Sequence, residues 1–147
     1  MAGEADLNAV NELRNEFWSD QISKGSIDHP ELTGLMADTA GLMRRPRTAI
    51  FVALQGDKVV GYILGQTRIL PGVAGSIVSS VEEVFALPEW RRSAVARKLV
   101  EAALAEFRTA GAQRIQLRVL ERNEDAKKFW RTLNFFPSVT IYEYAAK

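Results

Sequence analysis

Two short stretches combine residue types that can do chemistry. In Arg91-Arg92-Ser93-Ala94-Val95-Ala96, two guanidinium groups stand directly before a run of small residues that opens a helical pattern. The first amides of a helix lack intrahelical acceptors and carry the positive end of its dipole. An anion there gains several hydrogen bonds as well as charge attraction, and small side chains let it touch backbone. The arrangement fits a pyrophosphate. It also fits a plain strand-loop-helix crossover with solvated arginines. Upstream, Glu82 and Glu83 interrupt the otherwise apolar β run Val81 to Leu87, which Pro88 stops. Neighbouring strand residues point to opposite faces, so the two carboxylates cannot serve one pocket equally. Neither G-x-x-x-x-G-K-[ST] nor G-x-G-x-x-G occurs, which removes the common nucleotide loops.

The elements that must position these residues are legible from periodicity. Leu7, Val10, Leu13 and Phe17 recur at helical spacing from Asp6, a capping residue, to Trp18. After "SKGSIDHP", a second stripe runs from Leu32 through Leu35, Met36, Thr39, Leu42 and Met43 to Arg44 and Arg45, where Pro46 closes it. "AIFVALQGDKVVGYILGQT" reads as an antiparallel hairpin turning at Gln55-Gly56-Asp57-Lys58, "ILPGVAGS" as a loop, and "IVSSVEEVFAL" as a third strand. Val95, Leu99, Ala103 and Phe107 give a helix ended by Gly111, and "QRIQLRVL" alternates as a strand. Ala126, Phe129, Trp130 and Leu133 mark a last helix after Asn123, and "SVTIYEYAA" alternates as a closing strand. The order predicts an α/β or α+β arrangement of helices on a mixed sheet.

Composition sets bounds. The chain has 147 residues, 47% hydrophobic and 25% charged, enough for one core and one domain over 1–147. Nineteen basic against eighteen acidic residues leave +1, so general affinity for nucleic acid is not expected. No aromatic interleaving accompanies the arginines either, so a nucleic-acid partner is not expected. The absence of cysteine excludes disulfides, thiolate metal sites and a thiol nucleophile, and the single histidine argues against a multi-histidine metal site; no metal is expected. No apolar run approaches the roughly 20 residues that cross a bilayer, and "MAGEADLN" is unlike a signal peptide. The expectation is a cytoplasmic protein with no membrane partner.

"EEVFALPEWRRSAVARKLVEAAL" resembles the acyl-CoA-binding core of the Gcn5-related N-acetyltransferases, the GNAT family, whose signature Arg/Gln-x-x-Gly-x-Gly/Ala stands here as Arg91 to Ala96. A second signature, Asn-x-x-Ala-x-x-Phe-Tyr-x-x-x-Gly-Phe, is similar to Asn123 through Phe135, with Ala126, Phe129 and Trp130 in register. The hairpin's "xGxxVGxxxG" phrasing also looks like the family's second and third strands. The resemblance covers roughly Ala49 to Tyr144. It implies a GNAT-like mixed, mostly antiparallel sheet with helices on both faces, splayed between strands 81–87 and 113–120. The family's first strand is missing: a trimmed domain, a natural absence or cover from another subunit, hence a homodimer, all fit.

The resemblance further implies acetyl-CoA as co-substrate, its pantetheine pairing with backbone near Phe85, Ala86 and Leu87 and its phosphates on Arg91, Arg92, Ser93, Ala94, Val95 and Ala96. Asn123 would touch the pantetheine arm, and Phe129 with Trp130 would line the wall near the thioester. The implied reaction is attack of a neutral amine, on a small molecule or a peptide, on the thioester carbonyl. An alkylammonium must first lose a proton, and Glu82, ahead of Glu83, is the expected base. A strand amide would stabilise the oxyanion. Three positions depart from the family pattern. Ala94 replaces a glycine, Asn134 replaces another but tolerates a left-handed backbone, and Trp130 stands where many members carry a proton-donating tyrosine. Indole cannot surrender a proton, so the acid is unassigned, with Tyr142 or Tyr144 as substitutes. His29, in the loop between the first helices, reads as exposed, and Phe17 and Trp18 as core, with Trp18 as an alternative wall of the acceptor pocket. Against the enzyme stand two other readings, a catalytically silent acyl-CoA-binding domain and a non-enzymatic interaction module.

Overall fold

A computed structural model describes residues 1–25, 35–72, 76–91 and 93–146 of the chain. His29, Leu32 and Arg92 lie outside the described residues.

The hairpin forms where its turn chemistry places it. Strand β1 (Thr48–Gln55) pairs antiparallel with β2 (Lys58–Ile69), and Gln55 faces Lys58 across Gly56-Asp57. Gly56 has φ 61°, a left-handed value glycine adopts without a Cβ penalty. Strand β3 (Ile77–Ala86) adds antiparallel to β2, and β4 (Arg114–Leu117) adds parallel to β3, giving the order β1-β2-β3-β4. The β3–β4 connection is the crossover a parallel pair needs, and it carries helix α3 (Val95–Thr109).

Alternation along β2 builds a core on each side of the sheet. Tyr62 and Leu64 face helices α1 (Leu7–Ser23) and α2 (Leu35–Arg44), packing with Val10, Leu13, Leu42, Ile50 and Phe85. Ile63 faces α3 and helix α4 (Glu124–Thr132), packing with Val81, Leu99, Val100, Phe107 and Trp130. Two hairpin glycines let α3 lie close. A Cβ on Gly65 would stand 2.3 Å from Phe107 Cζ, and one on Gly61 would stand 3.2 Å from Val95 Cγ1 and 3.3 Å from Leu99 Cδ1.

Four expectations change in detail. Helix α1 continues to Ser23, past Trp18. The Asp6 carboxylate accepts from the Gly3 amide at 2.9 Å and so closes the short turn Glu4–Asp6, making no side-chain cap on α1. The strand expected over 113–120 is only Arg114–Leu117, because a ladder exists only where a partner runs alongside and β3 diverges beyond that point. The closing strand over "SVTIYEYAA" does not form: residues 136–146 carry no secondary structure and are exposed. Alternation supplies the pattern of a strand, but a strand also needs an edge to pair with. At the other edge, the Ala2 amide donates to the Ile50 carbonyl at 2.8 Å, a single backbone bond beside β1.

Candidate active site

The sheet forks. Strands β3 and β4 pair from Val78 with Arg114 to Val81 with Leu117, and there the ladder ends although β3 runs on to Ala86. Beyond Val81, β3 backbone groups on the β4 side have no strand partner among the described residues, and a ligand with amide groups can supply one.

A bulge stands at the fork. Leu64 pairs with Glu83 and Gly65 with Val81, so Glu82 is an extra residue with no partner on β2. In a regular strand Val81 and Glu83 would share a face; the bulge turns them apart. Val81 packs with the α3/α4 core, whereas Glu83 points to the α1/α2 side. Glu82 is exposed beside the point of divergence and accepts a hydrogen bond from Ser80 Oγ.

Glu83 has a different environment. It is buried, and its carboxylate accepts from Arg14 Nε (2.8 Å) and Nη2 (2.7 Å), Tyr62 Oη (2.8 Å) and Trp18 Nε1 (3.1 Å). Arg14 also donates through Nη1 to Asp38 (3.0 Å) and Thr39 Oγ1 (2.8 Å), which ties α1, α2 and β3 together. Burial draws the Arg14 pKa down, but the hydrogen bonds and charge of Glu83, then Asp38, outweigh it and hold the guanidinium firmly protonated. Burial, then the Glu83 charge and the bond to Glu83, push the Tyr62 phenol well above its usual 10.0, with Arg14 acting in the opposite sense. Four donors thus occupy this one carboxylate.

Of this network, Arg14, Tyr62, Asp38 and Thr39 carry no functional expectation from the sequence, and Trp18 is expected only as core or pocket wall. A signal was present. Arg14 falls on the stripe Val10, Leu13, Arg14, Phe17, where a cation facing the core requires a buried partner.

The expected anion seat is partly visible. Ala94 precedes α3 as its N-cap residue, and the first backbone bond back to the cap is from Lys98 to the Ala94 carbonyl (2.9 Å). The Val95 amide donates weakly to Ser93 Oγ at 3.4 Å, and the amides of Ala96 and Arg97 belong to the first turn, whose N–H groups lack intrahelical acceptors at the positive end of the helix. Arg91 is folded back: its Nε donates to the Ala86 carbonyl at 3.2 Å and its guanidinium lies 5.2 Å from the Phe85 ring centroid. The Phe85 side chain belongs to the α1/α2 core and Leu87 packs against it, so both can meet a ligand only through backbone.

On the second signature, Asn123 caps α4, accepting from the Ala126 amide at 3.1 Å. Trp130 is buried at 7% exposure, with ring centroids 5.0 Å from Phe129 and 5.1 Å from Phe135. It is therefore a core residue of the α3/α4 face. Asn134 has φ 66°, the left-handed helix end anticipated for it, and the Phe135 amide closes the end by donating to the Trp130 carbonyl at 3.1 Å. Tyr142 and Tyr144 are 93% and 92% exposed.

A model of the Acetyltransferase (GNAT) family matches residues 7–135. The chain belongs to the GNAT acetyltransferase family. Among curated proteins it is 29% identical over 94 residues to N-alpha-acetyltransferase 30 of Schizosaccharomyces pombe, a match that covers 64% of this chain and 61% of that protein. The chain thus spans less than two thirds of that relative. Among solved structures it is similar to aminoglycoside N-acetyltransferase AAC(6')-Iy in complex with CoA, with TM-score 0.82 and 20% identity, covering 99% of this chain and 91% of that one. It is also similar to the apo aminoglycoside 6'-N-acetyltransferase AAC(6')-IG from Acinetobacter haemolyticus, with TM-score 0.81 and 21% identity, covering 99% and 95%. At these identities the structures establish the fold. Membership of the GNAT family supports acetyl transfer in general, and acetyl-CoA fits it as co-substrate. No helix among the described residues is long and apolar enough to cross a membrane.

Proposed function

We propose that this GNAT protein transfers an acetyl group from acetyl-CoA to a primary amine of a small molecule or peptide. The observation that carries the reading is the end of the β3–β4 ladder at Val81 and Leu117, with the bulged, exposed Glu82 at the point of divergence. The pantetheine amides pair with β3 backbone around Phe85 to Leu87, and the phosphates lie on the exposed amides at the start of α3. Arg91 swings from the Ala86 carbonyl toward them, and Arg92 and Ser93 complete the seat. Ala86 keeps a second lone pair, so its carbonyl can serve arginine and ligand in turn.

Glu82 takes a proton from the acceptor ammonium through water. The neutral amine attacks the thioester carbonyl, the C–N bond forms and the C–S bond breaks, and the thiolate of CoA leaves and is protonated by solvent. Trp130 contributes no proton because it is an indole held in the core. Glu83 holds the acceptor side in shape through Arg14, Trp18 and Tyr62. The protein acts in the cytoplasm as a homodimer.

Thiol release over a panel of amines tests this. Wild type turns over at least one amine; Glu82→Gln lowers kcat by about a hundredfold or more, the scale of a lost general base. Equal rates in the two proteins would remove Glu82. A second reading, a silent acyl-CoA-binding domain, draws on Trp130 standing in the position of the proton donor; CoA binding with no thiol release on any amine would favour it.

A further inference from the structure

A cavity of about 390 Å³ lies between the last turn of α3 and the strand ends remote from the fork, with Arg47, Thr67, Ile69, Ile77, Glu106 and Phe107 in its wall. None of its residues falls in the stretch from Glu82 to Ala96 or in the second family signature, so it is separate from the site described above. Its volume is in the range, roughly 300–1,000 Å³, in which small-molecule sites occur.

The strands turn a defined set of groups toward it. Gly65 faces α3, since a Cβ there would meet Phe107, and alternation carries Thr67 and Ile69 onto the same face. Ile77 pairs with Ile69 across the β2–β3 ladder and so joins them. Ile69 is 46% exposed and Ile77 half-buried, an apolar pair only partly covered. Two charges border the same cavity: Arg47, exposed, and Glu106, half-buried in the last turn of α3. Neither has an ion-pair partner among the described residues, and they do not pair with each other. Arg47 has φ 60°, a left-handed backbone that glycine takes at lower cost, so an arginine is kept there against the backbone's preference. The carbonyl end of α3 adds to the attraction of Glu106 for a cation. Thr67 Oγ1 and Ser79 Oγ are 2.7 Å apart; of their two hydroxyl protons one bridges them, and the other has no acceptor among the described residues. Ser79 is wholly buried, where a proton without an acceptor is costly, so the spare proton belongs on Thr67 at the cavity wall.

We propose that this cavity binds a free apolar α-amino acid, with its carboxylate on Arg47 and the Thr67 hydroxyl, its ammonium on Glu106, and its side chain on Ile69, Ile77 and Phe107. The paired charges select for a zwitterion: a plain anion would be repelled by Glu106 and a plain cation by Arg47. The apolar wall selects for the side chain. The site stands whether or not the fork turns over an amine, so failure of one reading leaves the other intact.

Titration of the whole chain with L-leucine, L-methionine and L-phenylalanine, followed by isoleucine methyl nuclear magnetic resonance, tests this. At least one is expected to bind saturably and to shift the Ile69 and Ile77 methyls, leaving Ile50 in the α1/α2 core unmoved. The amide of the amino acid that binds, without its carboxylate, and the deaminated acid, without its ammonium, are each expected to bind about tenfold or more weakly, the scale of a lost charge-assisted bond. Arg47→Gly, which suits the left-handed backbone, and Glu106→Gln are expected to lose a similar factor while remaining folded by circular dichroism. The comparison of analogues needs no variant, so it decides the matter even if one misfolds. No saturable shift at either isoleucine with any of the three up to about 10 mM would overturn the site. So would analogues that bind as well as the amino acid, or binding that survives in both variants, which would place the amino acid elsewhere.

Discussion

At the scale of single residues, two adjacent glutamates have been given opposite environments by one inserted residue. The bulge leaves Glu82 exposed at the fork and turns Glu83 into a pocket of four donors, so their substitutions separate. Removing one partner of a buried ion pair strands the other charge, and Arg14→Met is expected to lower stability by about 3–5 kcal/mol, measured by urea unfolding. Glu82→Gln, at an exposed position, is expected to shift stability by no more than about 0.5 kcal/mol while it lowers turnover. Tyr62 supplies the pH dependence. Its folded pKa is raised above the unfolded value of 10.0, so its contribution is fully present below pH 10.0 and is lost as pH rises toward the folded pKa. Wild type is therefore expected to lose melting temperature above that pH more steeply than Tyr62→Phe. In an ultraviolet titration, one of the three tyrosines should resist ionisation until the protein unfolds.

At the scale of elements, the contact of α3 with the hairpin decides where the proposed anion seat lies, since that seat is the start of the helix. Gly65 makes the contact close, with Phe107 above it. Gly65→Ala places a methyl inside the Phe107 ring position and is expected to destabilise by about 1–3 kcal/mol, as overpacking does. Phe107→Leu in the same chain should return part of that loss, which a double-mutant cycle in urea would read. The hairpin, the three longest strands and the four α-helices among the described residues were legible because each carries its own period and punctuation. The fork was legible only through family likeness, since divergence of two strands leaves no local mark.

At the scale of the whole molecule, a co-substrate that fills the fork binds the folded chain alone and so stabilises it. With acetyl-CoA about a hundredfold above its dissociation constant, linkage gives about 2.7 kcal/mol, or a rise of roughly 5–10 °C in melting temperature for a chain of this size. Hydrogen exchange should slow at the amides of residues 82–86 that face the fork, and an unchanged exchange pattern there would contradict pantetheine pairing. The same scale governs the missing final strand: the alternation of "SVTIYEYAA" is a local pattern, and a strand forms only where a distant edge pairs with it.

By itself, the amino-acid order determined the periods, the turns, the two family signatures, the left-handed helix end at Asn134 and the burial of the helical stripes, because these follow from interactions between residues near one another in the chain. Only the tertiary structure decided that Glu83 is bound by Arg14, Trp18 and Tyr62 while Glu82 stays exposed, that Trp130 is core, that Arg91 rests on the end of β3, and that residues 136–146 form no strand. Each of these depends on which distant segment arrives alongside, and a bulge of one residue or an unfilled edge changes the answer without changing any local pattern.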